Sequence, residues 1–501
     1  MSLENRIGQL FMLGIPDDGE SLSDYTKTLI TKVRPGGIIL FKRNIKSLRQ
    51  VSLLNESLQK YSVAHNGTPL LIALDQEGGR VVRIKTTPAL PSPLAVGNTR
   101  DPQIAFQLAL ASGKILRGLG FNMNLAPVLD TIPDDGQSFI GERSFGSDPA
   151  LVSRMGLASA QGMLTARVLP TAKHFPGSGQ FAGDPHQKRV VSNVENKSLL
   201  HVGVQPFQEF GSLFPSALML SHVAYPQIDS SSLPATFSQN IIEGLLRKNL
   251  DYQGLVLTDD LQMGGAKIFS GIDSAATASL SAGADMLMIT WSANKQSSAY
   301  QSVLKAATSK IITQSSINNK VDRILKIKGI LQPSLHRRHP SWAEDSVEDL
   351  ELQKLDEKIL DINLSREIKK IPELRENDAL VLISSNAHFR WQFERSLNRP
   401  IQQIEISRKN SRSFLNGLRS IISKNNSTTF LLPIFSVGYA RWAESLPDDI
   451  RSKVIVVNAG PPGLFKRPAF KTVLEINHPH QNLGRRLGEL LSQRNSRLAK
   501  F

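Results

Sequence analysis

The 501-residue chain contains no cysteine. Disulfides, thiolate nucleophiles and thiolate-bound metals are therefore excluded, although the absence says little about compartment. No run approaches 18 consecutive apolar residues, so no membrane-crossing helix and no membrane partner are expected. The opening segment, MSLENRIGQLFMLGIPDDGE, lacks the basic stretch and the long apolar stretch of a secretory signal, and a cytoplasmic location is the expectation. No H-E-x-x-H or comparable ligand spacing occurs, so neither a catalytic metal nor any other cofactor is expected. What remains is ordinary globular composition: 40% apolar and 21% charged residues, with 27 Pro and 35 Gly. Disorder, collagen and coiled coil are excluded as readings of the whole chain.

Charge is of one predominant sign. Lys and Arg number 59 against 44 Asp and Glu, a net +15, and residues 351–501 alone carry +10 of it. Such an excess invites a nucleic-acid partner. However, the basic residues of the last third, RKNSR among them, are scattered without aromatic interleaving, so a solvated basic face or an attraction for anionic ligands is favoured and nucleic acid is not expected.

Short Val/Ile/Leu-rich runs alternate with helical periodicity over residues 1–330. The runs are 8–15, 36–41, 69–75, 121–127, 168–174, 216–222, 254–259 and 284–290. Eight βα units predict an α/β fold, a (β/α)8 TIM barrel. The Pro-rich, charged segment around LQPSLHRRHPSWAED (331–345) reads as a linker, placed at 331–350. Runs at 379–384, 402–407, 429–435, 453–458 and 472–477 then predict a smaller doubly wound α/β domain over 351–501. That region has no GxGxxG or Walker loop, and its GPPG (460–463) reads as a plain turn.

In a parallel barrel the chemistry sits at the carboxyl ends of the strands. Five predicted strands end there in polar clusters. These are Asp75 to Arg80 with Arg83, Asp130 with the segment Gly141–Gly146, Lys173–His174 followed by Asp184-Pro185-His186, His222, and Asp259–Asp260. A carboxylate held by backbone amides at a strand end can act as nucleophile toward an anomeric carbon, and Asp259 lies nearer the strand than Asp260, which is expected to cap the next helix. In the glycine-containing loop 177–187, Pro185 biases Asp184 toward extended geometry, so Asp184 and His186 are expected on one side of the chain. The carboxylate could then fix the imidazole tautomer and make His186 a general acid/base; a plain surface histidine is the alternative. Asp75, Arg83, Arg143, Lys173 and His174 suit the binding of sugar hydroxyls and an amide carbonyl, structural ion pairs being the alternative for the arginines.

The motifs ALDQEGGRVVRI (73–84), NLAPVLD (124–130), GERSFG (141–146), AKHFPGSG (172–179) with DPH (184–186), and LVLTDDLQM (255–263) resemble glycoside hydrolase family 3. The similarity is greatest to the bacterial β-N-acetylglucosaminidase (β-hexosaminidase) branch and spans roughly residues 5–330. It implies a retaining exo-glycosidase acting on terminal β-linked N-acetylglucosamine, notably in cell-wall muropeptide recycling. Carried over by position, Asp259 becomes the nucleophile, His186 the acid/base and Asp184 its partner, with Asp75, Arg83, Arg143, Lys173 and His174 as sugar contacts. Two positions depart from the branch: Ser178 stands where it usually has histidine, and Pro185 where it usually has serine. The Pro is expected to stiffen the loop. Three other functions remain open: a phosphorylase using phosphate as acceptor, another family 3 β-glycosidase, and a non-catalytic sugar-binding scaffold. The identity of the leaving group and the oligomeric state are not fixed by the sequence.

Overall fold

The computed structural model describes residues 1–86, 88–134, 138–179, 183–331, 350–370, 380–384, 387–397, 402–404, 418–421, 428–434, 443, 446–459, 470, 472–476 and 480–498. The predicted linker, apart from its end residues, and the GPPG turn lie outside them, as does RKNSR. Two compact units are present, one over 1–134 and 138–355, the other from 356 to 501.

The first unit is a closed barrel of eight parallel strands. In chain order they are β1 (Phe11–Gly14), β2 (Gly37–Ile39), β3 (Leu71–Leu74), β4 (Met123–Asn124), β5 (Leu169–Phe175), β6 (Ala217–Leu220), β7 (Leu255–Asp260) and β8 (Met286–Ile289). Each pairs with its neighbours in sequence, and β1 closes the ring against β8 through Phe11↔Leu287 and Leu13↔Ile289. The strands are near-continuous apolar runs because helices cover their outer faces and side chains fill the lumen. Most strands are shorter than the apolar runs, above all at 121–127, where only Met123–Asn124 are paired, and one run is partly taken over by a helix. Gly8 and Gln9 belong to the helix Leu3–Gln9 rather than to β1, because Ser2 caps that helix, its hydroxyl accepting from Asn5 N–H. Further helices start where Ser or Asp accepts a first-turn amide, as at Ser47, Ser92, Asp101 and Asp148.

The strand pairing is irregular at two places near the rim. Against β6, Lys173 pairs with Met219 and Phe175 with Leu220, leaving His174 as an extra residue. Against β8, Leu257 pairs with Met286 and Asp260 with Met288, so β7 also carries one extra residue across Thr258–Asp259. A bulge of this kind bends the strand locally and re-aims side chains.

The second unit holds a parallel five-stranded sheet: β9 (Leu380–Ile383), β10 (Gln402–Ile404), β11 (Thr429–Ile434), β12 (Val454–Asn458) and β13 (Thr472–Glu475), in the order β10-β9-β11-β12-β13. Alternate residues divide between two apolar clusters, Leu380 and Leu382 with Phe393 and Leu487 in one, Val381 and Ile383 with Leu418 and Ile450 in the other. The sheet is therefore packed on both faces, as a doubly wound domain requires. No helix among the described residues is long and apolar enough to cross a membrane.

Candidate active site

The carboxyl ends of β3, β4, β5, β6 and β7 gather the polar residues. Just past β3, Asp75 accepts from Arg83 Nη2 and from Lys173 Nζ, both at 3.0 Å. Lys173 also contacts Glu77 at 2.6 Å, and Arg143 holds Glu77 through Nε and Nη2 at 2.7 and 2.8 Å. Glu77 is 1% exposed. Burial alone would raise its pKa, but the guanidinium and the ammonium outweigh that and hold the carboxyl well below the usual range. Lys173, equally buried, is pushed up by the two carboxylates it joins.

Past β4, fully buried Asp130 accepts from His174 Nδ1 at 2.6 Å and from Ser178 N–H at 2.7 Å. Ser178 thus fixes a carboxylate that in turn fixes the imidazole. With Nδ1–H engaged on Asp130, the His174 ring has one tautomer and orientation. His222 at the end of β6 is buried, with Nδ1 on the Thr236 hydroxyl at 2.8 Å and Nε2 on the Asp260 carbonyl at 3.0 Å. Burial lowers its pKa, while the Asp259 carboxylate acts to raise it.

Asp259 accepts the Asp260 N–H at 2.8 Å. Desolvation opposes its charge, yet His222, His174, that amide and Lys173 together keep it below the ordinary carboxylate pKa. Asp260 behaves in the opposite way, burial pushing it up to about 6. It does not cap the next helix as expected: it accepts from Gln262 N–H and the Thr290 hydroxyl, holding a turn, and the following helix begins at Ile272 behind Gly271. Adjacent carboxylates are thus shifted in opposite directions, Asp259 toward its charged form and Asp260 toward its protonated form.

Asp184 and His186 lie together, but in a turn rather than an extended segment. Asp184 Oδ1 accepts both the His186 backbone N–H at 2.9 Å and ring Nδ1 at 2.5 Å, with Pro185 between them supplying the fixed φ of a turn. The two side chains are 46% and 57% exposed. Their loop is tied to the rim on both sides. Gly264 and Gly265 donate to the His186 and Pro185 carbonyls at 2.9 and 2.8 Å, and Val190–Val191 pairs with Val223–Ala224 just past His222. A Cβ on Gly264 would stand 2.1 Å from the Gln187 carbonyl carbon, so only glycine allows the approach. Arg143 contributes to lowering the Asp184 pKa, and His186 influences His222, so the turn lies within electrostatic reach of the site.

The residue that sequence reasoning passed over is Glu77. It lies two residues beyond Asp75 in DQEGGR, within a polar cluster already marked by its place after a strand. Among the described residues, no group of three or more His, Asp or Glu is arranged to hold a metal ion.

A barrel with this rim matches a known sequence pattern: the family model "Glycosyl hydrolase family 3 N terminal domain" matches residues 2–327. The chain belongs to glycosyl hydrolase family 3. It is thus a glycoside hydrolase, and its barrel carries the family region. A beta-hexosaminidase from Bordetella avium (strain 197N) is 37% identical over 280 residues, 54% of this chain and 78% of that protein. One from Hydrogenovibrio crunogenus (strain DSM 25203 / XCL-2) is 33% identical over 297 residues, 57% of this chain and 81% of that protein. The structure of a family 3 beta-N-acetylglucosaminidase from Paenibacillus sp. str. FPU-7 superposes with a TM-score of 0.83 at 28% identity. It covers 98% of this family 3 chain and 97% of the other, so the likeness extends over the second unit too.

Proposed function

We propose that this family 3 hydrolase is a retaining exo-β-N-acetylglucosaminidase that removes terminal β-linked N-acetylglucosamine, with peptidoglycan fragments as its source of substrate. The observation that carries the reading is Asp259: a carboxylate on a strand bulge at the end of β7 that accepts the Asp260 N–H and is held below the usual carboxylate pKa against its burial, with His222, His174 and Lys173 contributing electrostatically. A nucleophilic carboxylate must be ionised, and the lowering of the Asp259 pKa supports that state. The relatives named beta-hexosaminidase and the similar beta-N-acetylglucosaminidase structure support the choice of sugar.

In the first step a carboxylate oxygen of Asp259 attacks the anomeric carbon while protonated His186 gives its Nε2 proton to the glycosidic oxygen. The bond from that oxygen to the anomeric carbon breaks, the leaving group departs as an alcohol, and a glycosyl ester remains on Asp259. Neutral His186 then takes a proton from water, whose oxygen attacks the same carbon and frees Asp259 with the β configuration retained. Asp184, bonded to Nδ1, orients the ring and stabilises the imidazolium. Asp75, Arg83, Arg143, Lys173 and His174 bind the sugar hydroxyls and the acetamide, Arg143 being held in place by its pair with Glu77.

A panel of aryl β-glycosides differing at the 2-position, assayed with and without phosphate, tests the reading. The acetamido sugar is expected to be preferred over glucose, free N-acetylglucosamine to be the product in both buffers, and Asp259→Ala to abolish turnover while remaining folded. Preference for glucose, formation of sugar 1-phosphate, or full activity of the variant would contradict it.

A further inference from the structure

The polar residues occupy the ends of β3 through β7, which leaves the arc β8–β1–β2 of the rim unassigned. That arc carries the most exposed large aromatic side chain among the described residues, Trp291, at 67%. Exposing an indole forfeits the favourable burial it would have had elsewhere, and here it is fixed in place. The Trp291 backbone N–H donates to Gln262 Oε1 at 2.8 Å. The Phe41 ring stacks on the indole at 5.8 Å with an interplanar angle of 27°. The Arg43 guanidinium lies 4.0 Å from the indole and 4.7 Å from the Phe41 ring, and its Nη2 donates to the Thr290 carbonyl at 2.8 Å. Arg43 and Phe41 thus pack together against the indole, which still keeps 67% of its surface exposed.

Two chains of contacts join this group to the site. Phe41 faces Arg83 at 6.0 Å, and Arg83 binds Asp75. Thr290, next to Trp291, hydrogen-bonds Asp260, the neighbour of Asp259. An exposed aromatic face linked in this way to the proposed sugar site is suited to the C–H face of a second pyranose, whose polarised hydrogens meet the negative π cloud.

We propose that Trp291 is the stacking wall of the leaving-group subsite, taking the pyranose ring on the departing side of the scissile bond. Phe41 and Arg43 are its positioning residues. The inference rests on the reading of the site as a β-N-acetylglucosaminidase.

Its test compares kcat/KM for a β-linked N-acetylglucosamine disaccharide with kcat/KM for β-N-acetylglucosaminyl fluoride, whose leaving group has no ring. In Trp291→Ala the ratio of the two is expected to fall about tenfold, chiefly through KM for the disaccharide, and Trp291→Phe to recover most of it. Arg43→Met shifts the ratio the same way by a smaller factor. An unchanged ratio in Trp291→Ala, whether both values hold or fall in parallel, overturns the subsite while leaving the activity reading intact. A wild-type protein that cleaves neither substrate overturns that reading and the inference with it.

Discussion

Replacing Glu77 by Gln keeps the side-chain volume and removes one buried negative charge. In the native site that carboxylate accepts three charge-assisted hydrogen bonds, two from Arg143 and one from Lys173, all at 2.6–2.8 Å. The amide leaves one oxygen to accept and points an NH2 group at cations that can only donate. Asp75, 3.0 Å from Lys173, is then the remaining partner for that ammonium. Leaving a buried charge without its partner costs about 3–5 kcal/mol; because the burial penalty of Glu77 itself disappears, the low end is expected, about 3 kcal/mol. The pH dependence gives an independent check. Glu77 is held below its unfolded value of 4.5, so its contribution is complete above that pH and fades as pH falls toward the folded pKa. Denaturant unfolding at pH 7 should therefore show the full loss, and the gap between wild type and Glu77→Gln should narrow progressively below pH 4.5. Turnover of the aryl N-acetylglucosaminide should fall as well, since Lys173 and Arg143 lose their orientation. Equal stability at pH 7, or a gap that widens on acidification, would refute this account of the network.

Asp260, raised to about 6 from 3.8, holds its proton longer in the folded state, so the native protein should lose about 3 kcal/mol as pH rises from 4 to 6. Asp260→Asn should flatten that slope in urea titrations; an unaltered slope would assign it to other groups. Burial brings the Lys328 ammonium down to about 7, with Gln9 Oε1 at 2.7 Å as its partner. Wild-type stability should consequently rise between pH 7 and 10, and Lys328→Met should raise the melting temperature at pH 6.5 by more than at pH 9.5. The reverse order would contradict the burial argument. Gly264→Ala should push the His186 turn outward and lower kcat/KM on the order of 100-fold with a near-native melting temperature. Activity close to wild type would show that the turn needs no such strap.

Most of the barrel was legible because its parallel strands, buried on both faces, read as unbroken apolar runs such as LIAL, ALML and MLMI. The boundary at Gly8–Gln9 was not, since an apolar stretch that continues from a capped helix into a strand has no internal break. The polar clusters were legible as residues following strands, while their partnerships were not. Arg143 reads as a sugar contact from its position, while its pairing with Glu77, across 66 residues of chain, shows only in the fold. The bulges at His174 and Asp259 depend on register against a neighbouring strand, which no single run reveals. Asp260 reads as a helix cap from its place after a strand, and the turn it holds instead is set by Thr290 just past the next strand. Trp291 gives no periodic signal at all; it stands out only once its exposure and its stacking on Phe41 are seen together.

The central claim is that Asp259 forms a bond to the anomeric carbon. A 5-fluoro-N-acetylglucosaminyl fluoride, which slows hydrolysis of a glycosyl ester, followed by proteolysis and peptide mass mapping, addresses it directly. The account predicts a single added sugar residue on the peptide containing Asp259, at the Asp259 side chain, and no label in Asp259→Ala. A label on any other carboxylate, or release of the α-anomer as first product with no label anywhere, would contradict it.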